Sequence, residues 1–119
     1  MTGRIAIREG ALADESGVHV LAIAADAGED ALRDAFRAAV SAAAEQGARV
    51  VALPVSGTAA VPLQRRAEIL LAEARRALAA PAPIEEIRFV VAGEPAYRVF
   101  ESVQDAARIA EQMERLGRR

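Results

Sequence analysis

The 119 residues contain no cysteine, tryptophan, asparagine or lysine, and His19 is the single histidine. Without cysteine there are no disulfides, thiolate nucleophiles, zinc ribbons or iron–sulfur ligands. Without lysine, Schiff-base chemistry and the P-loop drop out. One histidine forbids a paired-histidine metalloprotease motif and makes a copper or non-haem iron site a poor fit. Neither metal nor cofactor is expected. Charge excess is also small: 15 arginines against 17 acidic residues give a net charge of −2 and a pI near 5.5. No basic field recruits nucleic acid or an anionic membrane. No apolar run approaches the roughly 18 residues needed to span a bilayer, and the first residues lack a signal-peptide core. The expectation is a cytoplasmic protein. Alanine is abundant, at thirty residues, which reflects GC-rich coding rather than function. The length predicts one domain over 1–119 with a single core.

What is present alternates between two periods. Residues 4–8 alternate polar and apolar, as a half-buried strand does. Residues 18–25 are almost wholly apolar, which predicts a second strand. Asp26, Glu29 and Asp30 then supply helix-start chemistry, and Leu32, Phe36 and Val40 recur at helical spacing up to the stop at Gly47. Residues 49–55 form a strand signal with Pro54 near its end. A small-residue loop, 56–62, leads into a helix over about 63–80, with Ile69, Leu70, Ala74 and Leu78 inward and Arg65, Arg66, Glu73 and Arg76 outward. A strand at 87–91 and a helix from Pro95 to about Leu116 follow, the latter with a stripe from Val99 through Val103, Ala107 and Ala110 to Met113. The order β-β-α-β-α-β-α predicts an α/β fold with right-handed crossovers and a mostly parallel sheet.

Gly47-Ala48-Arg49-Val50-Val51-Ala52-Leu53-Pro54, the Ser/Gly/Thr loop after it, and Pro62 opening a helix resemble the macrodomain segment that holds a pyrophosphate. Residues 84–91, with Tyr97 and Phe100 beyond, are similar to the last macrodomain strand and closing helix. Residues 5–10 and 20–26 fit the family's opening strands. The resemblance implies a three-layer macrodomain-like fold with four strands in the order 1-4-3-2, strand 1 antiparallel, and three helices. It also implies ADP-ribose as ligand. The chain departs from the family pattern at several points. Ala11 stands where an acidic residue usually meets the adenine amino group. Ile23-Ala24-Ala25-Asp26 stands where the family has Asn-Ala-Ala-Asn, and the hydrolase asparagine is absent. The glycine-rich loop, helix and strand that normally follow are missing. A shortened, degenerate member without hydrolase activity is implied.

Residues 56–62 are the candidate site, because ligands of α/β sheets bind beyond the carboxyl end of a strand, at a helix N-terminus. Backbone amides from Gly57 to Ala60 (Gly57, Thr58, Ala59, Ala60), with the Ser56 and Thr58 hydroxyls, are expected to hold phosphate. A tight βα connection built of small residues is the plainer reading. Asp26 and Tyr97 are ligand-adjacent candidates. Asp26, Glu29 and Asp30 also read as capping charges on the first helix that would repel an anion there. Tyr97 reads equally as a lid over the core. His19 reads as a packed strand residue, and Arg65-Arg66 and Arg75-Arg76 as solvated, ion-paired surface. The expected function is non-catalytic, weak binding of ADP-ribose or a related phosphate-bearing nucleotide. The alternative is a structural module that has lost its ligand. In either case residues 18–25 form an uncovered sheet edge, through which a homodimer is expected.

Overall fold

A computed structural model describes residues 3–10, 17–56, 59–80 and 83–117. The elements are β1 (Arg4–Glu9), β2 (Val18–Val20), α1 (Glu29–Glu45), β3 (Val50–Val55), α2 (Leu63–Ala79), β4 (Glu86–Val91) and α3 (Glu94–Gly117). They form one four-stranded sheet in the order β1-β4-β3-β2, as expected from the sequence. Alternation along the strands turns Ile5, Ile7, Val51, Leu53, Val55, Ile87, Phe89 and Val91 toward the helices, where they join one core cluster. Phe89 stands at its centre, with the Phe36 ring of α1 at 6.2 Å and the Phe100 ring of α3 at 5.6 Å.

Two expectations are corrected. The first strand is parallel to β4, not antiparallel: Arg4 pairs with Glu86 and Glu9 with Val91. Charge explains the direction. Parallel pairing sets Arg4 beside the buried Glu86 carboxylate, Nε to Oε1 at 2.7 Å. Reversing the strand over the same span would bring Glu9 against Glu86, two like charges in register. Backbone bonds from Arg4 N–H to the Glu85 carbonyl and from Gly10 N–H to the Val91 carbonyl fix both ends.

The second correction concerns the layers. Because Phe89 meets both Phe36 and Phe100, α1 and α3 lie on the same face of the sheet, and α2 packs between them. Among the described residues the fold therefore has two layers rather than three. The cause is topological. The chain steps from β2 to β3 to β4 in one direction across the sheet, and right-handed crossovers taken in one direction place their helices on one face.

β2 is shorter than the apolar run that encodes it. Ala52 accepts from the Leu21 N–H at 2.8 Å, so the even-numbered residues of β3 face β2. The next such residue is Pro54, which has no N–H to give, and the ladder stops there. This also explains how a proline sits in an interior strand: its missing donor falls where the neighbour has ended. α1 ends as its glycine predicts. Gly47, at φ +78°, closes a Schellman motif, with Gly47 N–H on the Ala44 carbonyl and Ala48 N–H on the Ala43 carbonyl.

Candidate functional site

The carboxyl ends of β2 and β3 and the starts of α1 and α2 meet at one edge of the sheet. Between them lies a cavity of about 80 Å³, lined by residues 23–25, Ala27 and Leu32 on one side and by residues 53–56, Ala59, Arg66 and Leu70 on the other. The two sides are stitched by the Ala60 N–H, which donates to the Ala25 carbonyl at 2.9 Å. Neither helix start has a side-chain cap: Gly28 precedes α1 and Pro62 precedes α2. Orphan backbone N–H groups of both helices are thus left without side-chain acceptors at the same edge.

Arg66 is the feature that sequence reasoning placed wrongly. It is not part of a solvated face but 6% exposed. Its Nε–H donates to the Val61 carbonyl at 2.9 Å and its Nη1–H to the Ser56 carbonyl at 2.7 Å. One guanidinium thus clasps both ends of the 56–62 loop. Among the described residues no carboxylate pairs with it, and burial pushes it below the ordinary arginine value while it stays charged. The signal was in the sequence: Arg66 stands three and four residues before Ile69 and Leu70, on their inward stripe. Glu73, three residues after Leu70, is likewise buried rather than outward. It accepts from Arg37 of α1 at 2.7 and 2.9 Å, and those bonds hold its carboxyl below the usual range.

The predicted site residues divide. Ser56 and Ala59 line the cavity and Ala60 anchors the loop beside it. Gly57, Thr58 and Ala11 lie outside the described residues. Asp26 is exposed, does not line the cavity and does not cap α1, which begins three residues later behind Gly28. Tyr97 does not line it either; its hydroxyl donates to Glu101 at 2.9 Å, which raises its pKa. His19 sits half-buried on β2, paired with Val51. Glu29 and Asp30 do stand in the first turn of α1, but arginines hold them. Glu29 meets Arg65 at 3.1 Å and Arg33 at 3.8 Å, and Asp30 meets Arg33 at 3.0 Å. The hydrogen bond from Arg65 lowers the Glu29 pKa. Much of the repulsion expected there is thereby neutralised. Arg65 also pairs with Glu68, as the helical spacing predicts.

A larger groove, about 440 Å³, opens at the opposite end of the sheet beside Arg4, Arg75 and Arg108. Those arginines are exposed, and two already pair with Glu86 and Asp105. It is a solvated surface, not a built site.

The fold and this edge define an α/β protein with a cavity beyond the carboxyl ends of parallel strands, the usual place for a ligand in such sheets. Comparison with known proteins makes the class specific. The chain is 38% identical over 78 residues, 63% of its length, to a macro domain-containing protein of Cupriavidus necator. Its fold matches a Trypanosoma brucei macrodomain solved with ADP (TM-score 0.59, 24% identity) and an Oceanobacillus iheyensis macrodomain mutant solved with ADPR (TM-score 0.60, 17% identity), each over 66% of the chain. No protein-family model matches. The fold is that of a macrodomain, and the sequence likeness is to the same family. The chain spans 45% of the Cupriavidus protein and 35% and 43% of the two solved chains.

Proposed function

We propose that residues 1–119 form one macrodomain-like unit that binds ADP-ribose or a related phosphate-bearing nucleotide, weakly and without catalysis, through the loop from Ser56 to Ala60. The observation that carries this reading is the buried Arg66, with no carboxylate partner among the described residues, lining a cavity close to where two uncapped helices begin. A buried charge is costly unless paired, and helix starts favour anions. The solved neighbours hold ADP and ADPR, which supports the choice of nucleotide. Weak binding follows from what the cavity lacks. At about 80 Å³ it is well under the several hundred Å³ of usual ligand pockets. The family resemblance places Ala11 where an acidic residue usually meets the adenine amino group.

Thermal unfolding with and without millimolar ADP-ribose, AMP or phosphate tests the reading. A ligand at a hundred times its Kd stabilises the native state by roughly 2.7 kcal/mol, an easily measured rise in Tm. No shift with any of the three at millimolar concentration removes the reading. A second reading, association of two copies through the β2 edge, is favoured by Val20, which is 48% exposed on that strand. It places the working surface on the sheet edge rather than in the pocket, and is compatible with a cytoplasmic protein.

A further inference from the structure

Resting on the second reading above, association through the β2 edge, we propose that two copies share one divalent transition-metal ion of the zinc class, held between their His19 imidazoles on the twofold axis. Within one chain a single histidine argues against a metal site, and no cluster of three or more metal-ligating side chains occurs among the described residues. A twofold axis changes that count, because each residue beside it is present twice.

Backbone direction places His19 at the axis. In a parallel ladder a residue turns its N–H and C=O to the same neighbour. Leu21 N–H bonds the Ala52 carbonyl of β3, so His19, two residues earlier, also faces β3. Val18 and Val20 turn their backbone groups to the open edge. An antiparallel copy that uses both of them sets Val18 against the partner's Val20 in hydrogen-bonded pairs. His19 then lies opposite the partner's His19 in a non-hydrogen-bonded pair, the closer of the two spacings, with Cα atoms about 4.5 Å apart.

The side chains meet on one face. A twofold axis along the sheet normal exchanges the strands and keeps the faces, so both imidazoles lie on the face that Val51 shares with them. His19 is half-buried there. Its ring forms no hydrogen bond or ion pair among the described residues, which leaves the nitrogens open to a ligand. Zinc bound to two such nitrogens at about 2.1 Å holds them roughly 3.4 Å apart in tetrahedral geometry. Side chains whose Cβ atoms stand about 5 Å apart across a strand pair can meet that separation. Water completes the shell. Imidazole selects zinc, copper or nickel over magnesium, which prefers oxygen.

Light scattering on the intact chain tests this with EDTA, with excess zinc chloride and with excess magnesium chloride. Zinc should lower the concentration of half-association by about tenfold or more, as a ligand that binds only the dimer does. Magnesium should leave it unchanged. Metal analysis of the isolated dimer should find one zinc per two chains. His19→Gln should keep the metal-free association and lose the response to zinc. Unfolding curves check that the variant folds; if it does not, the zinc stoichiometry of the wild-type chain decides alone. A dimer indifferent to zinc, or a zinc response that survives in His19→Gln, overturns the metal inference and leaves the edge association standing. A mass of one chain in EDTA and in zinc alike overturns both.

Discussion

At the scale of single residues, the informative positions are the charges that the fold takes inside. Glu86 lies in the sheet between two arginines, with Oε1 at 2.7 Å from Arg4 Nε and Oε2 at 2.6 Å from Arg88 Nε. Burial alone would raise its carboxyl, but the hydrogen bonds from Arg88 and Arg4 outweigh it, and the pKa falls below the ordinary 4.5. A carboxylate with a depressed folded pKa contributes stability that is fully present above the unfolded value. That contribution is lost as pH falls through the folded one. Glu86→Gln should therefore cost on the order of 3 kcal/mol at pH 7. The gap to wild type should close as pH drops below about 4.5. Urea unfolding at pH 7 and pH 3 measures both values; a gap that stays constant across that range would sink the explanation. Arg66 and Glu73 share a reason for being misjudged from sequence. A charged letter reads as surface, and only the partner that neutralises or clasps it shows otherwise. For Arg66 and Glu73 the inward stripe with Ile69 and Leu70 was the available warning.

Elements were legible where their causes are local. α1 runs to Glu45 because Leu32, Phe36, Val40 and Ala43 repeat at helical spacing, and it stops because Gly47 can take a positive φ. Gly47→Ala keeps the helix but forces a Cβ into the left-handed region, at about 1 kcal/mol. A fall in Tm of about 4 °C is expected from calorimetry, and an unchanged Tm would mean that the motif is not what ends the helix. β2 was misjudged in length because its end is set by Pro54 on another strand, a cause no local window contains. The direction of β1 was invisible for a similar reason: an alternating Ile-Ala-Ile fits either orientation, and the choice rests on Glu86, some eighty residues away. α3 shows a third kind of limit. Its 24 residues extend about 36 Å, whereas six-residue strands cover about 20 Å. The apolar stripe continues past the sheet that buries it, so Ala110 and Met113 of that stripe are exposed, as are Ile109 and Leu116 beside it.

At the scale of the whole molecule, strand order decides what the chain can do to its neighbours. The order β1-β4-β3-β2 leaves β2 with a partner on one side only among the described residues. Because Leu21 bonds Ala52, odd-numbered residues of this stretch point their backbone groups at β3, and Val18 and Val20 point theirs outward. A twofold axis near His19 would set Val18 of one copy against Val20 of the other in an antiparallel pair, extending the sheet to eight strands. No lysine or proline blunts this edge, since the chain has no lysine and its prolines lie elsewhere. Three residues of ladder are few, however, and a stable interface buries about 1,000 Å² or more. A dimer formed through this edge would therefore be weak, with half-association expected at about tens of micromolar rather than nanomolar concentration. Light scattering across roughly 5 to 500 µM should show the mass rising from one chain toward two. Val20→Lys, which plants a charge on the open edge, should hold it at one. A constant mass of one chain across that range removes the edge dimer. A dimer that survives the lysine would move the contact to another surface, with the exposed Ile109, Met113 and Leu116 of α3 the next to substitute.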